Sequence, residues 1–132
     1  MELVKQETVA VLTKQQLQAS MPKKFRHNVT DDMITFINST EGDEFRDIYK
    51  DNLVSFADVI EKGRYKMLDY INAVKFVSYK LIGDSNTIAY AKTFPERYQR
   101  LVDKNTPTKT IASFSTAYNK GDLVHKILER TL

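Results

Sequence analysis

The sequence predicts an all-α, multi-helical protein with a helix-turn-helix-type unit in its C-terminal half, and three observations carry that expectation. Gly and Pro are scarce, at 4 and 3, and no alternating Val/Ile/Thr run flanks an Asn-Gly-type turn, so a sheet has little to be built from. Apolar residues recur at three- and four-residue spacing, most densely over Tyr65 to Ile82 (YKMLDYINAVKFVSYKLI). There Met67, Tyr70, Ile71, Val74, Val77 and Leu81 share one helix face, and Tyr65, Leu68, Phe76, Tyr79 and Ile82 widen it beyond a stripe. Short helical runs then follow Asp84, Phe94, Thr106 and Gly121, separated by turn residues. Several short helices packed on one long apolar helix make a unit of the helix-turn-helix type.

With 132 residues, 42% of them apolar, the chain is long enough for one compact domain or a small domain with an appendage. No window approaches about 18 uninterrupted apolar residues, and Met1 to Glu7 lacks a basic start followed by an apolar run. Neither a membrane span nor a secretory signal is therefore expected, and a cytoplasmic protein is. The absence of Cys excludes disulfides and thiolate metal sites. The net charge of +3 conceals an asymmetry: residues 1–61 hold 7 Lys/Arg against 11 Asp/Glu, whereas residues 62–132 hold 13 against 6. A basic half of this kind suits a polyanionic partner as well as it suits a plain solvated surface.

Taken in order, residues 1–12 carry no cap signal and alternate weakly at Val9 and Val11, which predicts an arm or one short extended segment. Thr13 with Gln16 has capping-box spacing and opens a helix through Ser20 that Pro22 ends. Lys23, Lys24, Arg26 and His27 form the basic cluster of the acidic half, read first as an exposed loop and second as a phosphate contact. Asn28 or Thr30 caps the next helix, which holds Asp31 and Asp32 in its first turn, turns Val29, Met33, Phe36 and Ile37 inward and ends near Ser39.

An acidic run follows around Gly42 (Glu41, Asp43, Glu44, Asp47, Asp51), with Phe45, Ile48 and Tyr49 as its apolar side. Asp43, Asp47 and Asp51 share the i, i+4, i+8 spacing that can hold a divalent cation. Arg46 and Lys50 interleave them and no His or Asn completes a ligand set, so a solvated, ion-paired face is favoured and no metal or other cofactor is expected. Asn52 caps a further run, Leu53 to Ile60, that stops at a C′ glycine, Gly63. The chain thus reads as an acidic helical region, 1–63, suited to oligomerisation or partner contact, and a basic helix-turn-helix-like unit, 64–132.

In the basic half, Gly83 to Asn86 is a turn rich in N-caps, and Thr87 to Lys92 makes a two-turn helix with Ile88, Ala89 and Ala91 for packing. Thr93 and Glu96 bracket Phe94-Pro95 as a second capping box, opening a helix that carries Tyr98, Leu101 and Val102 inward and Arg97, Arg100 and Lys104 outward. Thr106-Pro107 starts another, with Ile111, Phe114, Ser115 and Tyr118 toward the core and Thr108, Lys109, Ala112, Ser113 and Thr116 outward. Gly121-Asp122 breaks it and caps a last helix packed through Leu123 or Val124, Ile127 and Leu128.

The outward face of 107–118 is small and hydroxyl-bearing, flanked by Lys109 and Lys120, and free of acidic side chains. Ser and Thr bind phosphates or base edges and Lys supplies the salt-sensitive attraction, so the face fits a DNA major groove. The competing account is an ordinary solvent-facing helix. The candidate DNA-binding residues are Arg97, Arg100, Lys104, Thr108, Lys109, Ser113, Thr116 and Lys120.

No catalytic constellation accompanies them, and an enzyme is not expected. The glycines stand alone with no G-K-[ST] after any of them, and His27 and His125 lie in different halves without metalloprotease spacing. Asp31-Asp32 is explained by the helix dipole.

The order Phe76-x-x-Tyr79-x-Leu81-x-Gly83, Asn86-Thr87-x-Ala89-Tyr90, Thr110-Ile111-Ala112 and Leu123-Val124-x-x-Ile127-Leu128 resembles the N-terminal helix-turn-helix domain of phage terminase small subunits. The resemblance covers residues 64–132. It implies a protein that binds double-stranded viral DNA as a homo-oligomer and delivers it to the large terminase ATPase/nuclease in the bacterial cytoplasm, with the DNA-facing helix at Pro107 to Tyr118. Phe94 to Asn105 stands where that family has a tight Gly-containing turn, and the family's central oligomerisation segment does not follow before Leu132, so either residues 1–61 take that role or the sequence is a piece of a longer chain. Two other classes fit the same sequence: a helix-turn-helix transcriptional regulator, and a non-enzymatic protein-binding adaptor docking through Asp43 to Asp51.

Overall fold

The computed structural model describes residues 12–40, 42–62 and 64–132. The arm expected over residues 1–11, the role of Glu41 and the C′ glycine at Gly63 lie outside the described residues, as do the side chains of Asp43 and Lys62. Every regular element among the described residues is a helix, so the fold is all-α and multi-helical: α1 Lys14–Ser20, a 3-10 turn Lys23–Asn28, α2 Asp31–Asn38, α3 Asp43–Ser55, a 3-10 turn Ala57–Lys62, α4 Met67–Leu81, α5 Asn86–Thr93, α6 Pro95–Asp103, α7 Thr108–Asn119 and α8 Asp122–Arg130. The chain divides into two compact units between Met67 and Leu68.

In the first unit, local hydrogen bonds set where helices begin. The Thr13 hydroxyl accepts from the Gln16 amide at 3.1 Å while the Gln16 side chain accepts from the Thr13 amide at 2.8 Å, a closed capping box. Thr30 accepts from the Met33 amide at 3.1 Å and so is the cap of α2. Asn38 holds both backbone groups of Leu12, accepting from its N–H at 3.0 Å and donating to its carbonyl at 2.9 Å. That clamp fixes the buried Leu12 beside α2. Leu17, Ile37, Tyr49 and Leu53 are fully buried.

Asn52 does not start a helix. It lies inside α3, its carbonyl accepting from the Phe56 amide at 3.0 Å, and the run expected after it is the 3-10 turn Ala57–Lys62. The continuous buried stripe Phe45, Tyr49, Leu53 carries the helix through, and burial of three large side chains outweighs the modest helix propensity of one Asn. Phe36, expected inward, is 40% exposed.

The second unit is built on α4, where Tyr70, Ile71, Val74, Phe76 and Val77 are fully buried as the spacing predicts. Lys75 and Ser78 are buried with them, and the Ser78 hydroxyl donates to the Val74 carbonyl at 2.7 Å, which removes the penalty for an unpaired hydroxyl. Burial holds the Lys75 ammonium below the ordinary lysine range. The wide apolar face is narrower at its ends than expected: Leu68, Leu81 and Ile82 are 51%, 49% and 46% exposed. On α5 the buried residues are Ala89, Tyr90 and Thr93, while Ile88 is 48% exposed.

Two turns set the helix directions. After α4, Gly83 at φ 106 lets its amide bond to Lys80 and the Asp84 amide to Tyr79, a Schellman ending. After α6, Asn105 at φ 58 repeats the pattern, with the Thr106 amide on Leu101 and its own on Val102. The second capping box does not form. Thr93 is the last residue of α5 and its hydroxyl is buried with no hydrogen-bond partner among the described residues; the chain breaks at Phe94 and α6 begins at Pro95 with no side-chain cap.

Gly83 has no atom within 4 Å of where a Cβ would sit, so Gly83→Ala introduces backbone strain alone. Urea unfolding is expected to show a loss of about 1–2 kcal/mol. Asn105→Gly, which relieves the same kind of strain, is expected to lie within about 0.5 kcal/mol of the parent or above it. Equal losses in both variants would contradict this account of the turns.

Candidate nucleic-acid interface

The face of α7 is positioned from its buried side. Ile111 and Ser115 are 5% and 0% exposed, and the Ser115 hydroxyl donates to the Ile111 carbonyl at 2.9 Å, so a polar residue sits in the core without an orphaned group. One turn further, Tyr118 meets three rings: Phe76 of α4 at 4.9 Å and 86°, Phe94 at 5.1 Å and 89°, and Tyr90 of α5 at 6.0 Å and 65°. Tyr90 and Phe94 meet at 5.3 Å. Edge-to-face contacts of this kind contribute about 0.5–1.5 kcal/mol each beyond area burial. They fix the azimuth of α7. At the same end, Lys80 of α4 donates to the Asn119 side chain at 2.7 Å.

With that side fixed, Lys109, Ser113, Thr116 and Lys120 project on the other, three and four residues apart. Lys109, Ser113, Lys120 and the neighbouring Thr108 are exposed, while Thr116 and Ala112 are half-buried. Ser113 donates its hydroxyl proton to the Lys109 carbonyl at 3.1 Å, leaving its oxygen to accept. Between Thr108 and Asn119 there is no acidic residue. Among the described residues neither Lys109 nor Lys120 forms an ion pair, whereas Lys92 is held by Asp84 at 2.9 Å and Lys126 by Asp122 at 3.4 Å.

Two expectations about this region are corrected. Phe114 is 46% exposed and does not belong to the core of α7. The inward stripe is the buried 111 and 115 with the half-buried 118, and Phe114 lies beside it with the exposed Thr110 and Ala117, giving the outer surface an aromatic flank. α6 buries no side chain fully, and Val102 is 42% exposed. Both α6 and α7 pack on α5.

The α6 candidates separate. Arg97 lays its guanidinium 4.2 Å from the centre of the Phe94 ring and so belongs to the aromatic cluster, where weak hydration favours such stacking. Arg100 and Lys104 are exposed. Counted at the observed division, residues 68–132 hold 10 Lys/Arg against 6 Asp/Glu. The basic excess of the second unit is therefore smaller than a boundary near Gly63 gives, because Arg64 and Lys66 fall before it.

Among the described residues no group of three or more His, Asp or Glu side chains is placed to hold a metal, and no helix is long and apolar enough to cross a membrane. An open groove of about 640 Å³ lies between α1 and α3, lined by Leu12, Ala19 and Val54 beside Lys50 and Asp51. No protein-family model, curated protein or solved structure matches the chain.

Burial pushes the Tyr118 phenol up from its ordinary 10.0, Arg97 partly opposes this, and Asp69 and Tyr90 add to it. The unfolded phenol ionises near 10.0 while the folded one keeps its proton, so stability falls as pH rises past that value. Tyr118→Phe is expected to flatten that alkaline fall when unfolding is measured between about pH 9 and about pH 11. Tyr118→Ala is expected to cost on the order of 3 kcal/mol at neutral pH. A Phe variant with the parent's full alkaline slope would show that Tyr118 is not the group responsible.

Proposed function

We propose that the second unit binds double-stranded DNA by setting the outer face of α7 in the major groove, as the non-enzymatic DNA-recognition part of a viral genome-packaging complex of the terminase small-subunit kind. The observation that carries the DNA reading is the stripe Lys109, Ser113, Thr116, Lys120: exposed along most of its length, without an ion pair at either lysine among the described residues, and without an acidic residue on its helix. A helix about 10–12 Å across fits a major groove about 12 Å wide. Ser113 and Thr116 are short enough to let the helix backbone approach base edges, and Lys109 and Lys120, at its two ends, reach phosphates on either side of the groove. Arg100 and Lys104, exposed on α6, add backbone contacts. The packaging role, the large ATPase/nuclease partner and a homo-oligomeric state come from the sequence resemblance of residues 64–132.

Duplex retention measured across salt concentration tests the reading. The parent is expected to bind with a steep negative slope of log affinity on log salt, Lys109→Gln to reduce that slope by about 1, and Lys109→Glu to lose binding with its unfolding midpoint unchanged. Equal binding by the parent and Lys109→Glu at every salt concentration would overturn it. Co-purification with a large terminase subunit, set against control at a palindromic promoter site, separates packaging from transcriptional regulation.

A further inference from the structure

We propose that the first unit carries a second phosphate-backbone contact for duplex DNA, at the 3-10 turn Lys23–Asn28; the inference rests on the DNA reading of the second unit. From Thr13 to Thr30 there is no acidic residue, although residues 1–61 as a whole are acidic. Lys14 in that span is paired with Asp31 at 3.4 Å. The cations left over, Lys23, Lys24 and Arg26, are exposed within four consecutive positions, with His27 beside them. Among the described residues none of the three lysine and arginine side chains forms an ion pair.

The turn that carries them is held at both ends. Met21 and Val29, which bracket it, are each 2% exposed. The Gln18 side chain donates to the Arg26 carbonyl at 3.0 Å, the Arg26 Nε donates to the Met21 carbonyl at 3.3 Å, and the Phe25 amide bonds to the Pro22 carbonyl at 2.9 Å. Lys24 rests its ammonium 5.3 Å from the Phe25 ring centre. The backbone and the Arg26 guanidinium are therefore ordered before any ligand arrives, which lowers the entropy lost on binding. The surface offers closely spaced positive charge and no exposed large apolar side chain to anchor a peptide, since Phe25 is half-buried. A ligand whose own charge is dense and continuous fits it, and a duplex presents one negative charge per roughly 1.7 Å of axis.

The test uses the full chain with Lys23→Gln/Lys24→Gln, both exposed positions, and with Asn28→Lys as a gain variant on the same turn. The double variant is expected to bind duplex more weakly than the parent at about 50 mM salt, with the gap closing by about tenfold at about 200 mM, equally on cognate and scrambled duplex. Asn28→Lys is expected to steepen the salt slope by about 1. If both variants keep the parent's slope while Lys109→Glu abolishes binding, the first-unit contact is wrong and the DNA reading of α7 stands. If the parent retains no duplex at any salt concentration, both fall.

Discussion

The ring of Tyr118 receives Phe76 from α4, Tyr90 from α5 and Phe94 from the α5–α6 junction, and these contacts decide where α7 points. α7 has a thin inward stripe, the buried Ile111 and Ser115 and the half-buried Tyr118, and two of its three members are small or polar-headed. Apolar area alone would leave such a helix free to roll about its axis. Edge-on ring contacts have preferred angles as well as preferred distances, so they restrain rotation in a way that aliphatic packing does not. Arg97 closes the cluster over Phe94, which makes it a positioning residue for α7 more than a direct ligand contact.

The remaining geometry comes from two left-handed residues. Gly83 ends α4 and Asn105 ends α6, each with the paired 6→1 and 5→2 bonds that satisfy the last carbonyls of a helix. Between them the break at Phe94 puts its ring into the cluster and lets α6 start at Pro95. The chain thereby places a polar helix with no buried side chain of its own, Pro95–Asp103, between α5 and α7. That helix leaves the α5–α7 packing in place.

What could be read from residue order was the chemistry that is local. The Thr13–Gln16 box, the Thr30 cap, the Gly83 ending and the all-helical class depend on groups within five residues of one another, and each is found where its spacing puts it. Asn52 and Thr93 carry equally good cap signals and form none: the buried stripe of α3 carries that helix through Asn52, and Thr93 is itself the buried last residue of α5, one position before the break at Phe94. Phe114, Leu81 and Ile82 satisfy helical periodicity and are nevertheless nearly half exposed, since periodicity states which residues share a face but not how much of that face is covered. The positions of the candidate DNA residues were half legible. The stripe on α7 follows from its period, whereas the stacking of Arg97 on Phe94 has no signature beyond a three-residue separation. The cations at Lys23 to Arg26 could be listed from sequence, but that none of them forms an ion pair among the described residues is a fact of the fold.

Everything proposed for the second unit requires that the side of α7 opposite Tyr118 meet a duplex. Backbone amide shifts of the isotope-labelled chain, followed as a short duplex is titrated in at low salt, address it residue by residue. The largest changes are expected at Lys109, Ser113, Thr116 and Lys120, smaller ones at Arg100 and Lys104, and little at Ile111 and Ser115. Changes confined to residues outside α6 and α7, or none at duplex excess, would contradict it.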